Sequence, residues 1–223
     1  MRNVHFRRAV MYSIDRATMV AQRKGEDLKY NCMINAYVPG NFVYLSKEVT
    51  VDINGESVTF PAGTAYGTIR QRQLEADGST MKTFDEETGL GTGFDGWYNP
   101  EAANAELATA IEELAAQGYE ISAENPVYLD IASFTGNDSF KNQDQALKQS
   151  VESVLGGVVI VNIVPCDTQK DWLNATYYPN TGAEMNFNIG NNGGWGPDYG
   201  DPKSYLDTML PGGNGMTKSF GLF

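Results

Sequence analysis

The run Gly193-Gly194-Trp195-Gly196-Pro197-Asp198-Tyr199-Gly200-Asp201-Pro202 carries the clearest recognition chemistry in the sequence. Small residues allow close backbone approach, and an indole and a carboxylate stand at the mouth of the turn. The run follows an alternating stretch, Met185–Ile189, that reads as a strand. Open α/β sheets build ligand crevices outside the carboxyl ends of their strands. Asp201 has a local task as N-cap ahead of Pro202. Asp198 has none, which makes it the candidate contact residue. A packed tryptophan over a capped turn is the alternative reading. Two carboxylates are too few for calcium, which takes about six or more oxygens, and the D-x-[DN]-x-[DN]-G loop is absent.

The rest of the catalytic repertoire is thin. The chain has one histidine, His5, and two cysteines, Cys32 and Cys166. A multi-histidine zinc site is therefore impossible, and no C-x-x-C offers a zinc cluster or redox pair. The cysteines are either one disulfide or two small hydrophobes. Gly91-Thr92-Gly93-Phe94-Asp95-Gly96 fits G-x-G-x-x-G by letter. It lacks the preceding strand and the helix opening within it that a dinucleotide site needs, so it reads as a loop. Asn137-Asp138-Ser139 and Asn174-Ala175-Thr176 are glycosylation sequons by letter alone. A net charge of −12 repels a nucleic-acid backbone, so no nucleic-acid partner is expected. No apolar run approaches the roughly 20 residues of a membrane helix, and the N-terminus has no secretory h-region.

The elements that must position these residues follow from periodicity. Phe6, Val10, Ile14, Ala17 and Val20 predict one long first helix, capped by Asn3 and stopped by Gly25. Arg7, Arg8 and Arg16 lie mostly off that stripe and read as a solvated face. Residues 30–44 read as a surface loop. Val49–Ile53 and Ser57–Phe60 alternate around Asn54-Gly55, which predicts a hairpin near 49–60 with a type I′ turn. A short helix is expected near 64–74, then a long surface excursion over 77–98. Asn99-Pro100 opens a helix with Ala103, Leu107, Ile111 and Leu114 inward, ending at Gly118. A strand from Val127, a helix over 139–155 and a strand over 158–164 follow, the last apolar enough to be covered on both faces. Further elements are a helix capped near Thr168, the strand 185–189, and a helix from Pro202. This βαβαβ rhythm predicts an α/β fold with a mainly parallel or mixed sheet flanked by helices.

Phe6-Arg7-Arg8-Ala9-Val10-Met11-Tyr12-Ser13-Ile14-Asp15-Arg16 resembles the (V/F)-R-x-A-(L/V)-x-x-A-I-D-R helix of family 5 extracellular solute-binding proteins, the oligopeptide receptors of ABC importers. Val38-Pro39-Gly40 resembles the P-x-G loop after that helix. Asn99-Pro100-Glu101-Ala102-Ala103 resembles the family's Y-D-P-E-K-A helix start. Trp195 to Asp201 resembles G-W-x-x-D-Y-x-D-P, with Ser204-Tyr205-Leu206-Asp207 continuing it. These landmarks keep the family order across nearly the whole chain. Their wording is most similar to Gram-positive peptide-binding lipoproteins.

The resemblance implies a periplasmic-binding-protein-like (type II) α/β lobe. At 223 residues against more than 500 in such receptors, the whole of 1–223 is expected to be the second lobe alone, excised or truncated, without leader, lipid-anchoring cysteine or first lobe. In the family an extended peptide is clamped between two lobes closing about a hinge, its backbone added like a strand. The resemblance makes Asp198 the anchor of the peptide's α-ammonium, a charge-assisted contact suited to a cation leaving water. It makes Trp195 a wall of the side-chain pocket and Gly194-Trp195-Gly196 part of the backbone edge, with Pro197, Asn191 and Asn192 as further ligand-contact candidates. Asp15 and Arg16 are expected to fix the first helix. The implied partners are an oligopeptide, an ABC permease and the first lobe, at the extracellular membrane face through a lipid anchor, with no cofactor, metal or catalytic residue. The competing readings are another solute (oligosaccharide, nickel chelate or haem) and a carboxylate-based hydrolase.

Overall fold

The computed structural model describes residues 2–31, 33–190, 196, 198–207 and 210. Helix α1 (Val4–Tyr12) begins where Asn3 Oδ1 accepts the Phe6 N–H, as its place ahead of the apolar stripe predicts. The stripe does not continue as one helix. It breaks and resumes as α2 (Arg16–Lys24), with Asp15 accepting the Thr18 N–H as N-cap and Gly25 closing the end. The cause is a side chain inserted into the backbone ladder. Ser150, on α5 (Asp138–Val154), accepts the Asp15 N–H at 2.9 Å and donates to the Ser13 carbonyl.

Phe6, Ala9, Val10 and Tyr12 pack against α4 (Pro100–Ala115), which buries Ala103, Leu107 and Ala110. Asn99 caps α4 by accepting the Ala102 N–H. His5 sits between Glu106 and Glu113 at this interface, and Arg8 lies 3.5 Å from Glu106.

Strands β3 (Val127–Phe134) and β4 (Val159–Cys166) pair in parallel, Val127 opposite Val159, with α5 as the crossover. Leu129, Ile131, Val159 and Val161 enter the main core with Leu147 and Val151. The opposite face is covered only in part, which corrects the expectation of a strand buried on both sides. Asn162, Val164 and Tyr128 are exposed, while Ala132 and Cys166 lie under Trp172 of α6 (Gln169–Thr176). The Trp172 indole N–H donates to the Ala132 carbonyl at 3.1 Å, and a reciprocal Thr168–Asp171 capping box starts α6. The free edge of β4 is clasped by α5. Glu152 accepts the Val161 N–H at 2.9 Å, Lys148 donates to the Val161 carbonyl at 2.7 Å, and the two side chains pair with each other.

Residues 185–189 alternate like a strand but do not form one. They follow a 3₁₀ turn, Gly182–Glu184, and meet β3 at a single point. Asn188 and Ile189 both donate to the Asp130 carbonyl, and the Asn188 side chain accepts the Asp130 N–H that a strand backbone would have taken. β1 (Val49–Ile53) and β2 (Glu56–Phe60) form a separate hairpin, with positive φ at both Asn54 and Gly55, as a type I′ turn requires. Among the described residues the strands thus form two two-stranded sheets, parallel β3–β4 and antiparallel β1–β2.

The segment 77–98 carries no helix or strand, yet it is not simply a surface excursion. Met81, Thr83 and Phe84 are buried. The Phe84 ring lies against Gly40 and Gly67, where α3 (Tyr66–Ala76) meets the 39–44 loop, and the Gly67 N–H donates to the Gly40 carbonyl at 2.8 Å. A Cβ on Gly40 would stand 2.3 Å from the ring, and one on Gly67 2.4 Å. Arg16 is likewise not solvated. Its guanidinium pairs with Asp95 at 2.8 Å, donates to Asn35 Oδ1 and to the Ile34 carbonyl, and lies 4.3 Å from the Trp97 ring centre. Asn35 and Val38 are buried with it, so the 30–44 loop is anchored inside the molecule.

Two stability measurements follow. Gly40→Ala should lower the urea midpoint at unchanged m-value by overpacking Phe84, at a cost of about 1–3 kcal/mol. Arg16→Leu should destabilise by about 3 kcal/mol, because it leaves the largely shielded Asp95 carboxylate without its cation. Arg16→Lys should recover part of this, because it restores a cation beside Asp95, but not all, because an ammonium lacks the planar fork that reaches Asp95, Asn35 and Ile34 at once.

Candidate functional site

Two of the site residues expected from the sequence, Gly196 and Asp198, are described; Asn192, Gly194, Trp195 and Pro197 lie outside the described residues. Gly196 and Asp198 are exposed, and so are Tyr199, Gly200 and Asp201. Asp201 accepts the Lys203 N–H at 2.7 Å and opens α7 (Pro202–Leu206), with proline in its first turn, as the sequence predicts. The Lys203 ammonium is matched within the same segment by Asp207 at 2.6 Å.

Periodicity alone did not single out Phe42. Its ring centre stands 5.5 Å from that of Tyr205, with the planes tilted by 57°. Its tip faces Gly200, where an added Cβ would sit 3.9 Å from Phe42 Cζ. The Val38-Pro39-Gly40 loop and the 196–207 segment, separate motifs in the sequence, are therefore neighbours in space. No spacing rule joins residues so far apart in the chain. The only advance signal was an aromatic two places after the loop glycine. Tyr37, Val43 and Tyr44 of the same loop also face solvent, as does Tyr199, which is 74% exposed.

Other concavities and reactive groups point elsewhere. A cleft of about 660 Å³ runs between β2, α3 and residues 79–87. It mixes Arg72 and Lys82 with Glu75 and Asp85 and shares no lining residue with 196–207. Among the described residues, no three His, Cys, Asp or Glu side chains group as a metal site. Cys166 is a free, buried thiol. Burial pushes its pKa up, and the carboxylates of Asp171 and Asp167 add to the shift, so it is protonated at neutral pH. Cys32 lies outside the described residues.

A family model described as "Bacterial extracellular solute-binding proteins, family 5 Middle" matches residues 1–217. The chain belongs to this family. Its relatives among solute-binding proteins include the oligopeptide-binding protein SarA of Streptococcus gordonii, 33% identical over 221 residues, which are 98% of this chain and 29% of SarA. The oligopeptide-binding protein AliA of Streptococcus pneumoniae is 30% identical over 220 residues, 98% of this chain and 29% of AliA. The chain thus spans less than a third of the length of these solute-binding relatives. The solved structure of Listeria monocytogenes OppA bound to peptide superimposes with a TM-score of 0.52 at 17% identity, covering 99% of this chain and 32% of that one. That likeness bears on the fold, which is α/β and periplasmic-binding-protein-like.

The burial of Cys166 is open to a direct chemical check. In a Cys32→Ser variant, Cys166 should react with a thiol reagent at neutral pH at least about tenfold more slowly than in the denatured chain. Equal rates would mean that the thiol is open to solvent and reactive.

Proposed function

We propose that this chain is the second lobe of a two-lobe receptor that captures extended oligopeptides for an ABC importer and performs no chemistry on them. The reading assigns the first lobe to the same polypeptide and the permease to the partner role. It places the receptor on the extracellular face of the cytoplasmic membrane through a lipid anchor. One observation carries the ligand class: Asp198, an exposed carboxylate on a glycine-rich turn, sits where the family motif holds its aspartate.

The physical case is one of matching. A peptide's α-ammonium keeps its charge on leaving water only if an acceptor replaces the lost hydration. A carboxylate on a short, capped turn does this at little entropic cost to the protein. Trp195 would supply a flat apolar wall beside it, and Gly194, Gly196, Pro197 and Asn192 a backbone edge along which the ligand lies like an added strand. Affinity then comes from main chain and one charge pair, which suits a receptor for many sequences.

In the full-length receptor, Asp198→Asn should weaken binding of a short free-amine peptide by at least about thirtyfold, as for removing one partner of a desolvated charge pair. It should leave an N-acetylated version of that peptide almost unaffected. Titration calorimetry reads both. An unchanged dissociation constant for the free-amine peptide would remove Asp198 from the anchor role.

A further inference from the structure

We infer that Phe42 is a positioning residue for the ligand-binding turn: it sets the place of Asp198 without touching the ligand's amine. The inference rests on the reading of Asp198 as the amine anchor. Its ground is a chain of contacts that runs from the core to the turn.

The first part is the rigidity of Phe42's own backbone. The Phe42 N–H donates to the Pro39 carbonyl at 3.1 Å. On either side, the Gly40 carbonyl accepts from Gly67 and the Val43 carbonyl from Tyr66, at 2.8 and 2.9 Å. The loop is therefore pinned to the start of α3 both before and after Phe42. Gly40 is pinned again by the Phe84 ring.

The second part is what the ring holds. Phe42 is 38% exposed, so one portion of it is free while the rest meets Tyr205 and approaches Gly200. The ring contact is with Tyr205, after the Asp201 cap, and the ring tip stands beside Gly200, just before that cap. Phe42 thus borders both sides of the short stretch that opens α7 and holds it through Tyr205. Tilted aromatic pairs at this separation are attractive beyond the area they bury. Helix α7 has five residues and makes no broad contact with another helix or strand among the described residues. A helix this short does not hold its own orientation in water. The ring of Phe42 is thus a brace between a fixed loop and a turn with little internal stability, and Asp198 is two residues before Gly200 on that turn.

The test is a set of affinities in the full-length receptor, for a free-amine peptide and its N-acetylated form. Phe42→Ala should weaken the free-amine peptide by about five- to tenfold and reduce its advantage over the acetylated peptide by a similar factor. Phe42→Tyr, which keeps the ring, should preserve both. Tyr205→Ala removes the same ring contact from the other side and should reduce the advantage of the free-amine peptide in the same direction. General loosening of the fold would weaken both peptides alike, so an unchanged ratio of the two affinities in Phe42→Ala and Tyr205→Ala would overturn the inference. Asp198→Asn separates the levels. If it abolishes the preference for the free amine while Phe42→Ala does not touch it, the brace is wrong and the anchor stands. If Asp198→Asn leaves the preference intact, the anchor itself is wrong.

Discussion

The Arg16 guanidinium ties the start of α2 to two irregular stretches, residues 34–35 and 95–97, which also meet each other through the Ile34–Thr92 backbone bridge. Asp95 accepts from the Arg16 backbone N–H and side chain and from the Trp97 and Tyr98 N–H groups. Asn35 takes a guanidinium proton and the Gly96 N–H on its oxygen, and its amide donates to the Gly91 and Phe94 carbonyls. Residues 77–98 form no helix or strand, so their backbone groups need side-chain or isolated backbone partners. Asp95 and Asn35 supply several of them, and both are oriented by one cation. The arrangement is stable because nearly every donor and acceptor in it is used. A partly satisfied version would be worse than an apolar plug.

From this hub, order passes outward in steps of decreasing regularity. The fixed 91–98 turn holds the 33–35 stretch. Phe84 then wedges against Gly40 and Gly67, and the 39–44 loop lies on α3. The candidate ligand turn comes last and has the least secondary structure of its own. A binding surface built this way needs no strand or long helix at the point of contact. It needs only that each irregular segment rest on one already fixed.

Much of this order is written in local signals. Asn3, Asn99 and Asp201 sit where caps must sit, and each accepts the expected backbone proton. The Asn54-Gly55 turn and the β3–α5–β4 crossover also follow from short-range pattern. The departures share a physical cause, which is a long-range side chain overriding local preference. Ser150 splits a helix whose apolar stripe is unbroken. Asn188 uses its amide where a strand would use its backbone. Arg16 looks solvated until Asp95 arrives from 79 residues further along the chain. The candidate ligand turn is proposed from chemistry alone, from an indole and a carboxylate without a local task among glycines. Its support was not legible, because Phe42 and Tyr205 meet only through the fold.

The Lys148–Glu152 clasp on Val161 bears on how the molecule treats extended chains in general. To the edge of a sheet, any extended chain is one more strand. At Val161 such a chain meets a donor and an acceptor already occupied, and further along the same edge Pro165 has no N–H to give. Zipping by registry along β4 is therefore interrupted twice within five residues. The outer edge of β4 is thus a poor template for a further strand, and what keeps it so is a pair of charged side chains from the crossover helix itself.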